Sequence, residues 1–286
     1  MQHQTFDALL PQAMAWKAED MGVAKATKNP VSTFVLAITA GAFIGIAFIF
    51  YTVVTTGNTG MGWGANRLMG GLAFSLGLML VVVNGGELFT STVLTVVARA
   101  SRKITWAQLA RNWALVYAGN FVGAFGLVLI MQMAKHYELA NGQLGLNYMS
   151  IAQHKLHHEF GQAVALGVMC NVMVCLGVWM TFSARTVTDK LLAVVLPVAM
   201  FVAAGFEHCV ANMFQIPMAI LTRDAVGPEF WEATGASAAQ FADLTWSNFL
   251  MHNLLPVTLG NIIGGGLLVG LLYWFIYLRP SEGQRP

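Results

Sequence analysis

Gly205-Phe206-Glu207-His208-Cys209-Val210-Ala211-Asn212 puts a carboxylate and an imidazole into a chain otherwise apolar enough to be membrane. The apolar run before it, residues 191–204, makes only about 21 Å of helix at about 1.5 Å per residue. A hydrocarbon core is about 30 Å thick, so this run stops short of crossing. A second short run, residues 68–83, ends the same way in Gly85-Gly86-Glu87-Leu88-Phe89-Thr90. Both breaks carry Gly-x-Glu. Interrupted apolar segments in corresponding positions predict discontinuous membrane helices with a ligand site near the midplane. Ionisable groups inside such segments are costly, which favours a functional reading over simple packing.

The composition agrees. Of 286 residues, 57% are hydrophobic and 10% charged, against about 25% charged in soluble domains. The chain reads as an all-α, polytopic membrane protein. A net charge of +2, with no basic aromatic patch, gives nucleic acid no footing. Cys170, Cys175 and Cys209 are odd in number and apolar in setting, so they read as small buried hydrophobes. No phosphate-cradling glycine pattern and no Gly-x-Ser-x-Gly stretch appears, so neither an enzyme nor a cofactor is expected.

Six crossings follow from the apolar runs: residues 32–56, 68–98 with a break at 84–86, 107–134, 161–182, 191–221 with a break at 205, and 249–278. Ahead of them Phe6, Leu9, Leu10, Ala13 and Met14 recur at helical spacing around Pro11. They predict a short amphipathic helix within an N-terminal unit, residues 1–30. Residues 31–280 form the membrane unit and 281–286 a tail. Eleven Lys and Arg residues fall on the side of the termini and four on the other, namely Arg67, Lys135, Lys155 and Arg223. That bias places both termini in the cytoplasm.

Gly119-Asn120-Phe121-Val122-Gly123 in the third crossing recurs as Gly260-Asn261-Ile262-Ile263-Gly264 in the sixth. With the shared Gly-x-Glu, this divides the chain into halves of about 30–140 and 155–280. Each half holds three crossings, so the repeat is inverted. The glycine pairs read as helix packing, and Gly41-x-x-x-Gly45 and Gly119-x-x-x-Gly123 as small-residue faces for assembly. Phe74 falls about 10 Å below the outer surface and Phe201 about 16 Å above the inner one. In a core of about 30 Å they share a level to within about 4 Å, so two rings can form an outer constriction. Leu78 lies one turn deeper, and Leu88 and Phe89 follow the first break on the inner side.

Taken together, Gly205-Phe206-Glu207-His208, the stretch from Asn84 to Thr92, Gly260-Asn261-Ile262-Ile263-Gly264-Gly265-Gly266, Lys25-Ala26-Thr27-Lys28 and the Asn171 segment resemble the formate–nitrite transporter family, near its bacterial formate-channel branch. The likeness covers residues 5–278. It implies an aquaporin-like six-helix protomer with segments two and five broken, assembled in lipid as a homopentamer with one pore per protomer. The implied activity is pH-dependent passive passage of formate and related small anions, or their neutral acids, across a bacterial inner membrane. No cofactor, metal or nucleic-acid partner is implied. By the resemblance His208 is the pore histidine and Thr90 its partner across the break. Phe74 and Phe201 form the outer slit, and Leu78, Leu88, Phe89 and Val174 the inner one. Lys25 and Lys155 are vestibule lysines, and Glu207, Asn171 and Asn212 form the polar shell. Cys209 and Glu87 stand where the family more often has Ser and Asp.

Taking a carboxylate from water into a medium of ε ≈ 4 costs about 20 kcal/mol in the idealised limit. A protonated His208 can stabilise the anion, or hand it a proton so that a neutral acid crosses. Thr90 can donate or accept a hydrogen bond at the same point. Both routes are open on the residues alone. A nitrite or hydrosulfide channel of the same family is the second reading. A third, a membrane metal protein or enzyme, draws on His154-x-x-His157-His158-Glu159, whose spacing suits zinc. A polar helix entry is the simpler account of that stretch.

Overall fold

Pro11 and Pro30 each occupy a first helical position, where the missing N–H of proline is no loss. In the computed structural model, which describes residues 8–57 and 60–279, they open α1 (Pro11–Thr27) and α2 (Pro30–Thr55). Asn29 caps α2 by accepting from the N–H groups of Val31 and Ser32. The second crossing is split into α3 (Trp63–Asn84), then α4 (Phe89–Thr92) and α5 (Val96–Ala100) around a tight turn. α6 (Trp106–Met133) starts from a Thr105–Gln108 capping box. α7 (Gln143–Leu156) and α8 (Phe160–Thr181) follow. The fifth crossing is split into α9 (Val187–Ala203), capped by Thr186 and Asp189, and α10 (Cys209–Ala225). After a loop with α11 (Pro228–Thr234), the last crossing combines α12 (Trp246–Asn248) and α13 (Leu255–Asn261) with wider π-helical turns over Phe249–Leu254 and Ile262–Leu271. Every described element is helical, giving six crossings with the second and fifth broken.

The first helix differs from expectation. It begins at Pro11, so Leu9 and Leu10 precede it, and Leu10 is 74% exposed. Its buried face is Ala15, Ala18, Glu19, Gly22 and Ala26, a row of mostly small residues rather than a Leu/Phe stripe. The physical reason is proximity: a Cβ on Gly22 would stand 2.9 Å from that of Ala98, leaving no room for large side chains. Phe6, and the tail with Arg285, lie outside the described residues. α3 is also longer than its apolar run, because it starts at Trp63, which is 79% exposed. At 22 residues it reaches about 33 Å.

The inverted repeat extends beyond the expected halves. On α7 the buried residues Gly145, Tyr148, Met149, Ala152 and Leu156 repeat the spacing of the buried face of α1. Asn112 donates to the Lys25 carbonyl at 3.2 Å, and Asn253 to the Lys155 carbonyl at 3.3 Å. α1 and α7 are therefore counterparts. The repeated glycines do pack helices: a Cβ on Gly123 would lie 1.9 Å from the Ile38 carbonyl oxygen, and one on Gly264 2.2 Å from that of Val168. Gly41 likewise faces Asn120. These faces are occupied within one protomer, so they carry no argument for contacts between copies.

Both breaks are built alike. Gly85 (φ 76°) and Gly205 (φ 77°) take the left-handed conformation that ends a helix. The next N–H closes back on the last turn, from Gly86 to Val81 at 2.9 Å and from Phe206 to Phe201 at 3.0 Å. Glu87 and Glu207 then donate their backbone N–H to Leu36 and Leu166 of the neighbouring crossings. Two buried asparagines complete the closure. Asn120 accepts from the Phe89 N–H (2.8 Å) and donates to the carbonyls of Ala37 and Glu87. Asn261 accepts from the Cys209 N–H (3.0 Å) and donates to the carbonyls of Gly167 and Glu207. Each asparagine bridges a break to the adjacent intact crossing.

Removing either clamp strands a buried N–H and the carbonyl of the break. Asn120→Ala and Asn261→Ala should each destabilise the detergent-solubilised protein by about 2 kcal/mol or more, measured by thermal unfolding. Unfolding curves superimposable on the parent's would show that the breaks hold without them.

Candidate transport site

His208 is the N-cap of α10. Its Nδ1 accepts from the Ala211 N–H at 3.0 Å. An acceptor at Nδ1 leaves the ring proton of a neutral imidazole on Nε2, and Nε2 lies 2.9 Å from Thr90 Oγ1. His208 therefore donates to Thr90, whose own hydroxyl hydrogen remains free to donate onward. The two side chains meet across the breaks, one from each half. Behind them Cys175 donates to the Thr90 carbonyl at 3.2 Å. Phe201 stacks on the imidazole, centroids 6.0 Å apart and 16° between planes. Phe74 meets Phe201 edge-on, also at 6.0 Å.

This cluster floors a cavity of about 270 Å³ beside α7, which also reaches Arg67, His154, Lys155 and Glu207. A second cavity, of about 350 Å³, lies beside α1 and is lined by Lys17, Lys25, Lys28, Glu87 and Lys190 among others. α3 runs past both. Phe74 belongs to the α7 cavity, Val81 and Gly85 to the α1 cavity, and Leu78, one turn between them, to neither. Leu78, Leu88, Phe89 and Val174 are all buried, in one apolar cluster with Phe74 and Phe201. Phe89 also sets its ring edge-on to Tyr117 and Trp113. An apolar partition thus separates two cavities that each contain lysine.

Each cavity holds one buried carboxylate matched to lysine. Lys155 donates to Glu207 at 2.7 Å, while Asn212 and Asn253 bond its other oxygen at 2.7 and 3.2 Å. On the α1 side Glu87 takes both Lys25 and Lys28. Lys17 donates to the Phe182 carbonyl at 2.9 Å, and burial, then Arg185 and Lys190, hold its ammonium below the ordinary lysine value. Asn212 thus belongs to the Glu207 network. Asn171 instead donates to the Asn261 carbonyl at 2.6 Å, so it supports the last crossing rather than His208. The histidine-rich stretch is dispersed: His157 pairs with Asp243 at 2.6 Å, and His154 and His158 meet edge-on at 5.1 Å. Among the described residues no group of three His, Cys, Asp or Glu could hold a metal ion.

Sequence reasoning missed Asn120 and Asn261, which it grouped with the packing glycines, and also Asn253, Lys28 and Arg67. The signal was present for the first pair: each asparagine follows the first glycine of a repeated motif.

Comparison with known proteins shows the family. Residues 12–275 match the family model described as formate/nitrite transporter. The chain is 60% identical over 277 residues to formate channel FocA of Escherichia coli, covering 97% of each chain. It is 47% identical over 269 residues to formate channel FocA of Haemophilus influenzae, covering 94% and 95%. Among solved structures, a pentameric formate channel with formate bound superposes with a TM-score of 0.84 at 61% identity, covering 87% of this chain and 98% of that one. A family match along nearly the whole chain and relatives at these identities leave one assignment: the chain belongs to the formate/nitrite transporter family.

Proposed function

We propose that this chain is a passive, pH-dependent channel for formate and related small monovalent anions, or their neutral acids. It works as a homopentamer in a bacterial inner membrane, with one pore per protomer and both termini in the cytoplasm. α1 then forms the cytoplasmic mouth, and the α7 cavity faces outward. The observation that carries this reading is the His208 Nε2–Thr90 Oγ1 bond of 2.9 Å, set in an apolar partition between two lysine-lined cavities. The basic-residue bias and the printed descriptions of the relatives, formate channels and a pentamer, support the rest.

The proposed cycle follows from the tautomer. Formate enters the α7 cavity, where Lys155 raises the local anion concentration, and reaches the Phe74–Phe201 constriction. There the hydroxyl of Thr90 is the free hydrogen-bond donor, and the Nε2–H of His208 becomes a second when it turns from Thr90 to the anion. A proton arriving at Nδ1 displaces the Ala211 cap and makes an imidazolium. The imidazolium passes its Nε2 proton to the carboxylate, giving formic acid and an imidazole protonated at Nδ1. The neutral acid crosses the partition without the ionic desolvation cost and loses its proton in the opposite cavity. A proton regained at Nε2 and released from Nδ1 restores the cap. Acid outside drives the first step, so formate uptake rises as external pH falls.

Two outcomes are expected. Native mass spectrometry in mild detergents should show a pentamer; monomers or tetramers alone would contradict the assembly. His208→Asn and His208→Phe should keep that assembly but lose about a hundredfold of acid-stimulated formate uptake, the lower end of the range for general acid catalysis. Stopped-flow uptake into liposomes, with acetate, nitrite and chloride alongside, checks both rate and ion preference. Wild-type uptake at every pH would leave His208 a packing residue.

A further inference from the structure

Two Lys or Arg side chains line the α7 cavity, and they are differently placed. Lys155 is matched by Glu207 at 2.7 Å. Arg67 has no carboxylate partner among the described residues. Its Nε donates to the Ala203 carbonyl and its Nη2 to that of Val202, both at 2.9 Å, and Nη1 lies 3.4 Å from the Tyr51 hydroxyl. These contacts use three of the five N–H groups of a guanidinium, all on neutral oxygens. The full positive charge is therefore uncompensated at a cavity whose other fixed charges, Lys155 and Glu207, cancel.

Arg67 is also aimed by its contacts. Val202 and Ala203 immediately follow Phe201 at the end of α9, whose exposed carbonyls favour a cation. Tyr51 packs at a tilt against Phe48, centroids 5.3 Å apart, and Phe48 meets Phe74 edge-on at 5.7 Å. The guanidinium is thus fixed beside the constriction, anchored to the backbone behind one ring and linked by packing to the other. A planar fork with unused N–H groups suits a carboxylate better than an ammonium does.

We infer that Arg67, with Tyr51 beside it, is the entry station for the anion on the α7 side, drawing a small carboxylate toward Phe74 and Phe201. This rests on the transport reading above. Arg67 then sets the concentration at which flux from that side saturates. The α1 cavity has its own excess of lysine, so saturation from that side is independent of Arg67.

The test is formate flux against concentration in right-side-out and inside-out vesicles at low ionic strength, for the parent, Arg67→Gln and Arg67→Lys. A unit charge at a few ångströms in a high effective dielectric predicts that Arg67→Gln raises the α7-side half-saturating concentration about threefold to tenfold. The α1-side value should stay within about twofold of the parent's, because entry there lies farther from Arg67 and its field is set by the lysines, water and salt of that cavity. Because flux is passive, permeability at low concentration falls alike in both directions. Raising salt should weaken the parent's α7-side affinity more than that of the Gln variant. Arg67→Lys keeps the charge but neither the fork nor the double grip on α9, and should fall between the parent and the Gln variant. If Lys behaves as Gln does, or if both sides shift equally in half-saturation, Arg67 is only a helix cap and the inference falls. Arg67→Met, which keeps the apolar stem, replaces Gln should the latter not assemble as a pentamer. No formate flux through the unaltered protein would overturn the transport reading, and the inference with it.

Discussion

A helix that stops inside an apolar layer strands backbone N–H and C=O groups that lipid cannot satisfy. In this chain that happens twice, and the structure depends on how each end is closed. Asn120 and Asn261 each supply one acceptor and two donors, which is most of what an amide side chain offers. They join the N-terminus of a half-helix to the carbonyl of the break and to a neighbouring crossing. With the Glu207 carbonyl held by Asn261 and its N–H by Leu166, the next residue has little freedom. His208 then falls in the capping position, and its ring nitrogen completes the turn. The clamp fixes the backbone, the backbone fixes the tautomer, and the tautomer directs the remaining proton at Thr90.

The buried carboxylates follow the same constraint. A charge taken out of water costs several kcal/mol even after relaxation, so Glu87 and Glu207 are tolerable only with lysine and amide partners. The pairing also changes what the lysines can do. Lys155 is largely offset by Glu207, whereas Lys25 and Lys28 share a single carboxylate. The α1 cavity therefore carries a larger cationic excess than the α7 cavity. An anion meets different fields on the two sides of one thin partition.

The sequence made the breaks, the six crossings and the inverted repeat legible, because apolar runs and a duplicated Gly-x-Glu survive without any knowledge of contacts. The residues grouped around His208 came mainly from the family resemblance. Three things were not legible. α1 buries alanine and glycine, so its inward face lacks the polarity contrast on which helical periodicity depends, and Leu9 and Leu10 suggested the wrong face. The kinship of α1 with α7 shows only in burial spacing and in paired bonds from Asn112 and Asn253, across sequences with little in common. The asparagine clamps act over 31 to 94 residues, beyond any spacing rule, and their flanking glycines offered a sufficient packing explanation.

The repeat supplies a further distinction. Positions that the two halves share close the structure: Gly85 with Gly205, Glu87 with Glu207, Asn120 with Asn261, Asn112 with Asn253, Lys25 with Lys155. Positions where the halves differ are the ones the proposed cycle uses. Leu88 stands where the second half has His208, Val210 where the first has Thr90, and Val81 where the second has Phe201. Two breaks like the first would hold no histidine and two like the second no threonine, and a hydrogen bond from Nε2 to a hydroxyl needs one of each kind. An inverted repeat can provide a midplane gap by symmetry alone. Only by departing from that symmetry, at His208 and Thr90, does this chain obtain a proton donor and a matching acceptor at the same point of the gap.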